Sequence, residues 1–274
     1  MTDRLSSLLQ RFTLRARVYH GGAIRNELRH DGHGSEGRLH LVHEGLVVFS
    51  GPGRRRMKVV APSMIYLPRG VAHRLQPAPG ATAEVVCAAV SFGSAQENPL
   101  LRSLPDLVCV PLAEMAGLEV TQTLLASESL ANRCGHAAVV DRLAEVLVVQ
   151  LLRWCIERGE LHSGSLAGLA DARLSRAITA MHDQPSAPWT LDSLAATAGM
   201  SRSRFAAQFK TVVGVPAAEY LKRWRVGVAK GLLRRGLPIK AVAHDAGYGS
   251  TSAFGKAFAQ VECVSPSGWR DRLA

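Results

Sequence analysis

LAATAGMSRSRFAAQFK, residues 194–210, reads as a short apolar helix, a tight turn at Ala198-Gly199 and a second helix. Gly199 permits the left-handed backbone that lets two helices cross sharply, and Ser201 is placed to accept from the free N–H groups opening the second helix. Phe205 and Phe209 stand four residues apart, so one face of that helix is buried. Helical spacing then turns Ser203, Ala206, Ala207 and Lys210 to the far side, with Arg202 and Arg204 on the flanks.

The same device recurs in VAHDAGYGSTSAFGKAF, residues 242–258: Ala246-Gly247, a capping Ser250, and Phe254 with Phe258. Its far side carries Ser252, Gly255 and Lys256, flanked by Thr251. An apolar and basic segment, AAEYLKRWRVGVAKGLL, joins the two copies. One such pattern is a weak signal; a linked pair is a strong one.

Residues 171–270, ending in SPSGWR, resemble the DNA-binding domain of AraC/XylS-type bacterial transcription regulators. The resemblance implies two recognition helices set into successive major grooves on one face of the duplex. VECVSP departs from the family's Gly-containing turn, with Cys263 in the place of the small residue. Neither helix offers a well-centred bidentate base reader, so the alanines are expected to read by fit against thymine methyls. Arg202, Arg204, Lys210, Arg223 and Arg225 are expected on phosphates, fixing register and supplying salt-dependent affinity. Trp224 and Trp269 are expected in the core.

The charge is segregated. Residues 1–80 hold 13 Lys and Arg against 5 Asp and Glu, residues 81–165 hold 5 against 10, and residues 166–274 hold 15 against 7. Two basic regions point to two anionic partners, or to one partner touched twice. A hydrophobic content of 47% with 20% charged residues describes a globular protein, and no apolar run is long enough to span a membrane. The five cysteines are scattered without CxxC spacing, against a disulfide framework or zinc site; with a polar N-terminus this predicts a cytoplasmic protein.

Between residues 37 and 92, short β-branched runs punctuated by Gly and Pro predict antiparallel hairpins. AAVVDRLAEVLVVQLLRWCIER, 137–158, places Val140, Leu143, Ala144, Leu147, Val148, Leu151 and Leu152 at three- and four-residue steps, a long amphipathic helix suited to covering a sheet or pairing with its copy. GELHSGSLAGLADA, 159–172, reads as a linker. The expected fold class is α+β: an N-terminal β-barrel with a long dimerisation helix over 1–160, a linker over 161–172, and an all-α double helix-turn-helix domain over 173–274.

IYLPRGVAHRL, 65–75, resembles the second cupin motif, through Pro68, Gly70 and His73, and HLVHEG resembles the first in part. Strand alternation turns His40 and His73 inward and His43 outward, too few ligands for a metal centre, so no metal or other cofactor is expected. The arrangement as a whole looks like the cupin-bearing branch of the AraC regulators. That implies an effector-sensing, dimerising domain controlling binding to double-stranded promoter DNA, with RNA polymerase as a further partner, activation as the outcome and no enzymatic role.

Three effectors compete. A phosphate-bearing ligand is suggested by Arg25, Arg29, Arg54, Arg55, Arg56 and Lys58; Arg25-Asn-Glu-Leu-Arg29 resembles the arginine motif of PilZ-type receptors, making cyclic di-GMP the leading candidate. A redox switch would use Cys87. A small organic molecule would occupy the barrel beside His40 and His73. The rivals of other classes are a metal-dependent cupin enzyme carrying a DNA-binding domain and a ligand-independent architectural protein.

Overall fold

In the computed structural model, residues 3–32, 34, 36–51, 56–93, 99–131, 133–159 and 161–272 are described. The chain divides into two units: residues 12–162, and residues 163–274 together with 1–11. The second composition departs from expectation. Helix α1 (Ser6–Arg11) belongs with the C-terminal helices and not with the strands that follow it.

The strand-rich unit contains β1 (Leu14–Ile24), β2 (Leu28–His30), β3 (Gly37–Glu44), β4 (Leu46–Ser50), β5 (Arg56–Val60), β6 (Ser63–Leu67), β7 (His73–Pro77), β8 (Ala83–Phe92) and β9 (Val108–Pro111). Helix α2 (Pro99–Ser103) precedes β9, and α3 (Glu119–Leu130) and α4 (His136–Arg158) follow it. The described strands form two antiparallel sheets, ordered β1-β8-β3-β6-β9 and β2-β7-β4-β5. The cupin-like barrel is therefore a two-sheet sandwich, paired within each sheet and not around one closed ring.

Register explains the core. Leu28, Leu75, Phe49 and Met57 stand in one transverse row of the smaller sheet and face the interior, where they meet Val42, Ile65, Val85 and Cys87 of the larger one. Strand β8 is buried along nearly its whole length, because α3 and α4 lie on the face of the larger sheet away from that core. Val140, Ala144, Leu147, Val148, Leu151 and Leu152 are buried, as the three- and four-residue spacing predicts, while Leu143 of the same stripe is half-buried. The edge strand β1 has N–H groups without a strand partner, and α4 supplies acceptors: Asp141 Oδ1 accepts from Val18 N at 2.7 Å and Glu145 Oε1 from Ala16 N at 3.4 Å. No helix among the described residues is long and apolar enough to cross a membrane.

The helical unit adds α5 (Ser165–Ala170), α6 (Leu174–Asp183), α7 (Leu191–Ala198), α8 (Arg202–Val213), α9 (Ala217–Arg234), α10 (Ile239–Asp245), α11 (Thr251–Glu262) and α12 (Pro266–Asp271). The expected linker 161–172 thus contains a helix. Leu166 and Leu169 are fully buried, and Gly168 lets α5 approach so closely that an added Cβ would sit 2.4 Å from Ile178 Cδ1. The small residues that suggested flexibility instead serve close packing.

Helix α1 is tied in by side chains. Leu8 is fully buried, Arg4 Nη1 donates to Leu169 O at 3.0 Å, and Ser7 Oγ donates to Asp183 Oδ1 at 2.7 Å. The Arg11 guanidinium lies 4.3 Å from the Trp224 ring centroid, and the His182 imidazole stacks on Trp224 at 3.7 Å. Gly227 makes the room, since a Cβ there would meet Arg11 Nη2 at 1.4 Å.

Candidate functional site

Two helix-turn-helix pairs, α7–α8 and α10–α11, flank the connecting helix α9. In the first, Thr190 and Ser193 form a reciprocal capping box that starts α7, and Gly199 ends it at φ 65°. In the second, Gly247 takes φ 81°, and Ser250 Oγ accepts from Ala253 N at 3.1 Å to start α11. Ser201 differs from expectation: its backbone is extended as an N-cap requires, but its side chain makes no capping hydrogen bond.

Phe205 and Phe209 are fully buried, with ring centroids 5.4 Å apart, and Phe254 and Phe258 repeat this at 5.6 Å. Opposite them on α8, Arg202, Ser203, Arg204, Ala207 and Lys210 are exposed, while Ala206 is half-buried at the edge. On α11, Thr251, Ser252 and Lys256 are exposed. Ala259 and Gln260 share this exposure one turn later, a continuation that helical spacing alone could have found. Gly255 has open space beyond its Cα, which leaves the middle of α11 slender.

The basic residues divide by their partners. Arg202 Nη1 lies 3.3 Å from Asp192 Oδ2 of α7, an exposed pair across the turn. Arg223 is exposed and donates from Nε to Glu219 Oε1 at 2.9 Å. Arg225, expected on phosphate, is instead half-buried, donating to Pro185 O at 2.7 Å and Ala187 O at 2.8 Å beneath the Tyr248 ring. Burial holds its guanidinium below the usual arginine range. It anchors a loop, a role the spacing of basic residues did not reveal. Trp224 is buried and Trp269 packs against the Phe254 cluster, as expected of core residues.

In the strand-rich unit, His40 of β3 and His73 of β7 meet across the two sheets with their Nε2 atoms 2.8 Å apart. His73 Nδ1 lies 2.7 Å from Val71 O, so it carries the proton and donates to that carbonyl. His73 Nε2 then accepts from His40 Nε2–H, and His40 Nδ1 is left buried without a hydrogen-bond partner among the described residues. Burial pushes His73 down to about 4 against the raising effect of the Val71 carbonyl, and burial and the neighbouring His73 hold His40 well below the usual histidine range. Both are neutral near pH 7.

His30 and His20 were not foreseen here. His30 stands opposite His73 in the sheet with ring centroids 5.1 Å apart, and His20 faces Cys87, which faces His40. Only strand register brings them together. Among the described residues no three His, Cys, Asp or Glu side chains are arranged to hold a metal ion. The donor set does not fit the metal a cupin fold suggests, because the two facing nitrogens are engaged with each other and no carboxylate joins them. Cys87 is fully buried and burial pushes its thiol up to about 12, so it lacks the thiolate a redox switch requires.

The two arginines of the proposed motif are both at the surface. Arg25 is exposed in the β1–β2 turn, and Arg29 is exposed on β2 with Nε 2.6 Å from Asp31 Oδ1. Arg56 and Lys58 are exposed on β5, and Arg54 and Arg55 lie outside the described residues. Elsewhere in this unit a cavity of about 430 Å³ is lined by Met57, Leu107, Cys109, Trp154 and Cys155, with Arg56 also on its wall.

The Cupin family profile matches residues 3–157, and the Helix-turn-helix domain profile matches residues 194–272. A protein of Streptomyces lividans named as an AraC-like transcription regulator is 40% identical over 185 residues, covering 66% of this chain and 60% of the relative. A counterpart of Streptomyces antibioticus is 38% identical, covering 66% and 61%. The match therefore spans about three-fifths of the length of these relatives. The RCS-specific HTH-type transcriptional activator RclR of Escherichia coli is 27% identical over 241 residues, covering 86% of this chain and 84% of RclR. With a Cupin-family segment ahead of two helix-turn-helix pairs, this chain belongs to the cupin-bearing branch of the AraC/XylS family.

Proposed function

We propose that this protein is a DNA-binding transcription regulator, in which α8 and α11 enter successive major grooves of a promoter. The carrying observation is the repeated device itself: two capped turns, two buried phenylalanine pairs and two exposed helix faces holding Ser203, Ala207 and Lys210, and Ser252 and Lys256. Small side chains let a helix sit deep against base edges, while Arg202, Arg204, Lys210 and Arg223 supply phosphate contacts. Activation through RNA polymerase, a cytoplasmic setting and a dimeric DNA-bound form complete the reading; RclR, a relative, is named as an activator. Exposed Val120 and Leu124 on α3 and Val139 and Val146 on α4 support pairing of two copies through these helices.

The test is fluorescence anisotropy of the full chain on duplexes selected from a random pool. Submicromolar binding, abolished by Ala207→Glu with the melting temperature unchanged, supports the reading. Equal binding by wild type and variant refutes it.

A second element concerns the effector. The strand-rich unit binds a small molecule in the cavity beside Trp154 and Cys109, whose volume falls in the usual range for ligand sites. Neither Arg25 nor Arg29 lines that cavity, and nothing in its lining singles out cyclic di-GMP as the occupant. Quenching of intrinsic fluorescence on ligand addition, lost in Trp154→Phe while the fold is retained, is the expected result. A ligand-responsive variant with unaltered quenching would overturn this site.

A further inference from the structure

The outer face of the smaller sheet carries a basic row that only strand pairing creates. Arg29 of β2 stands opposite Arg74 of β7, Arg74 opposite Ser50 of β4, and Ser50 opposite Arg56 of β5. The neighbouring row, Leu28, Leu75, Phe49 and Met57, packs into the core, so alternation turns the arginine row away from it. Arg29, Arg74 and Arg56 are exposed, and so are Lys58 and Gln76, which flank Val48 in the next outward row.

Like charges directly opposite each other in a sheet are destabilising, so the Arg29–Arg74 pairing costs stability that an anionic partner would return. Nearby acids offset only part of the charge. Asp31 lies 2.6 Å from Arg29, and Glu27 Oε2 lies 3.6 Å from Arg74 Nη1. Among the described residues of these rows, four cations (Arg29, Arg74, Arg56 and Lys58) are accompanied by two paired carboxylates. With strands about 4.8 Å apart, the row extends across roughly 15 Å of an open sheet face. An enclosed small ligand needs concavity; a flat row of arginines suits a line of phosphates, which guanidinium groups engage through paired donors.

We propose that this face is a second DNA-backbone surface, engaging phosphates that flank the site read by α8 and α11. The inference rests on the DNA-binding reading above. Once the helical unit is on DNA, covalent linkage holds the basic sheet at high effective concentration near the same duplex, so modest contacts suffice. The basic excess of residues 1–80 thereby acquires a partner of the same kind as that of residues 166–274.

The experiment measures affinity against salt for the full chain on two duplexes: one limited to the selected core site, the other extended by two helical turns on each side. The variants are Arg29→Gln/Arg74→Gln/Lys58→Gln and the single Lys58→Glu; Arg56 stays intact because it also lines the cavity. Wild type should bind the long duplex more tightly and with a steeper salt slope. The triple variant should lower the long-duplex slope by about 2 to 3 and its affinity roughly tenfold, leaving short-duplex binding unchanged. Lys58→Glu should move the long-duplex result in the same direction with the sheet intact. Identical slopes for wild type and variants on the long duplex would overturn the inference while leaving DNA binding standing. Failure of wild type on the short duplex would refute DNA binding itself, and this surface with it.

Discussion

Arg225 Nε of the connecting helix donates to the backbone carbonyl of Pro185, 2.7 Å away, while Nη2 of the same guanidinium reaches Ala187 O. A cation that looks like a DNA contact in sequence is committed to holding the loop ahead of α7. Arg225→Ala is expected to cost about 1.5–3 kcal/mol, the usual range for hydrogen bonds to a charged group, and to lower the melting temperature. Its salt slope on DNA should match wild type. Arg204→Ala or Lys210→Ala should do the reverse, lowering the slope by about 1 with stability unchanged. Thermal melts and salt titrations of the three variants separate the two roles.

Cys263 ends α11 with φ 55°, the one non-glycine residue at positive φ among those described. A β-carbon in that conformation costs about 1–2 kcal/mol, offset in part by the greater unfolded freedom of glycine. Cys263→Gly should therefore stabilise the helical unit by roughly 0.5–1 kcal/mol. A calorimetric melting temperature at or below wild type would contradict this account of the cap.

The His40–His73 pair makes the strand-rich unit acid-sensitive in a defined window. His73 binds its proton near pH 4 when folded and near 6.5 when unfolded, and His40 is displaced in the same direction. Between those values the unfolded chain holds more protons, so stability falls as pH drops from about 6.5 towards 4. The loss should reach the order of 3 kcal/mol for His73, at about 1.4 kcal/mol per pKa unit. Hydrogen exchange of β3 and β7 amides against pH measures it. His40→Leu/His73→Leu, which removes both partners together, should flatten the dependence.

Val139 and Val146, seven residues apart on α4, are both exposed, as are Val120 and Leu124 of α3. Val139→Glu/Val146→Glu should convert a dimer to a monomer in sedimentation, with the melting of a dilute sample unaltered. A wild type that sediments as a monomer at every concentration would remove α4 from the account of pairing.

The legible parts of this chain were those written in local period. Phe205/Phe209 and Phe254/Phe258 mark buried stripes through spacing alone, and Val140 to Leu152 mark a helix through theirs. Exposure of α8 and α11 followed from the same spacing. What escaped depends on residues far apart in sequence meeting in space. The row Arg29–Arg74–Ser50–Arg56 exists only through register, and the imidazoles of His20 and His30 approach His40 and His73 for the same reason. The carbonyl contacts of Arg225 are not legible in sequence, because a basic side chain on a helix gives no sign of which carbonyls lie within its reach. SLAGLA, 165–170, reads as a linker in sequence yet folds as a helix, because small residues mark both flexible chain and tight helical contact.

The clasp of Arg11 between Gly227 and Trp224 makes the amino terminus part of the helical unit. Since α1 belongs to the helical unit, the polypeptide leaves that unit at 11/12 and returns at 162/163, so the strand-rich unit is an insertion with two covalent crossings. A fragment beginning at residue 163 would also lack Leu8 and Arg11 from its own interior. The N-terminal helix and the reader helices should then melt as one cooperative body, and tags or truncations at the amino terminus should be felt in DNA binding although α8 begins 202 residues into the chain.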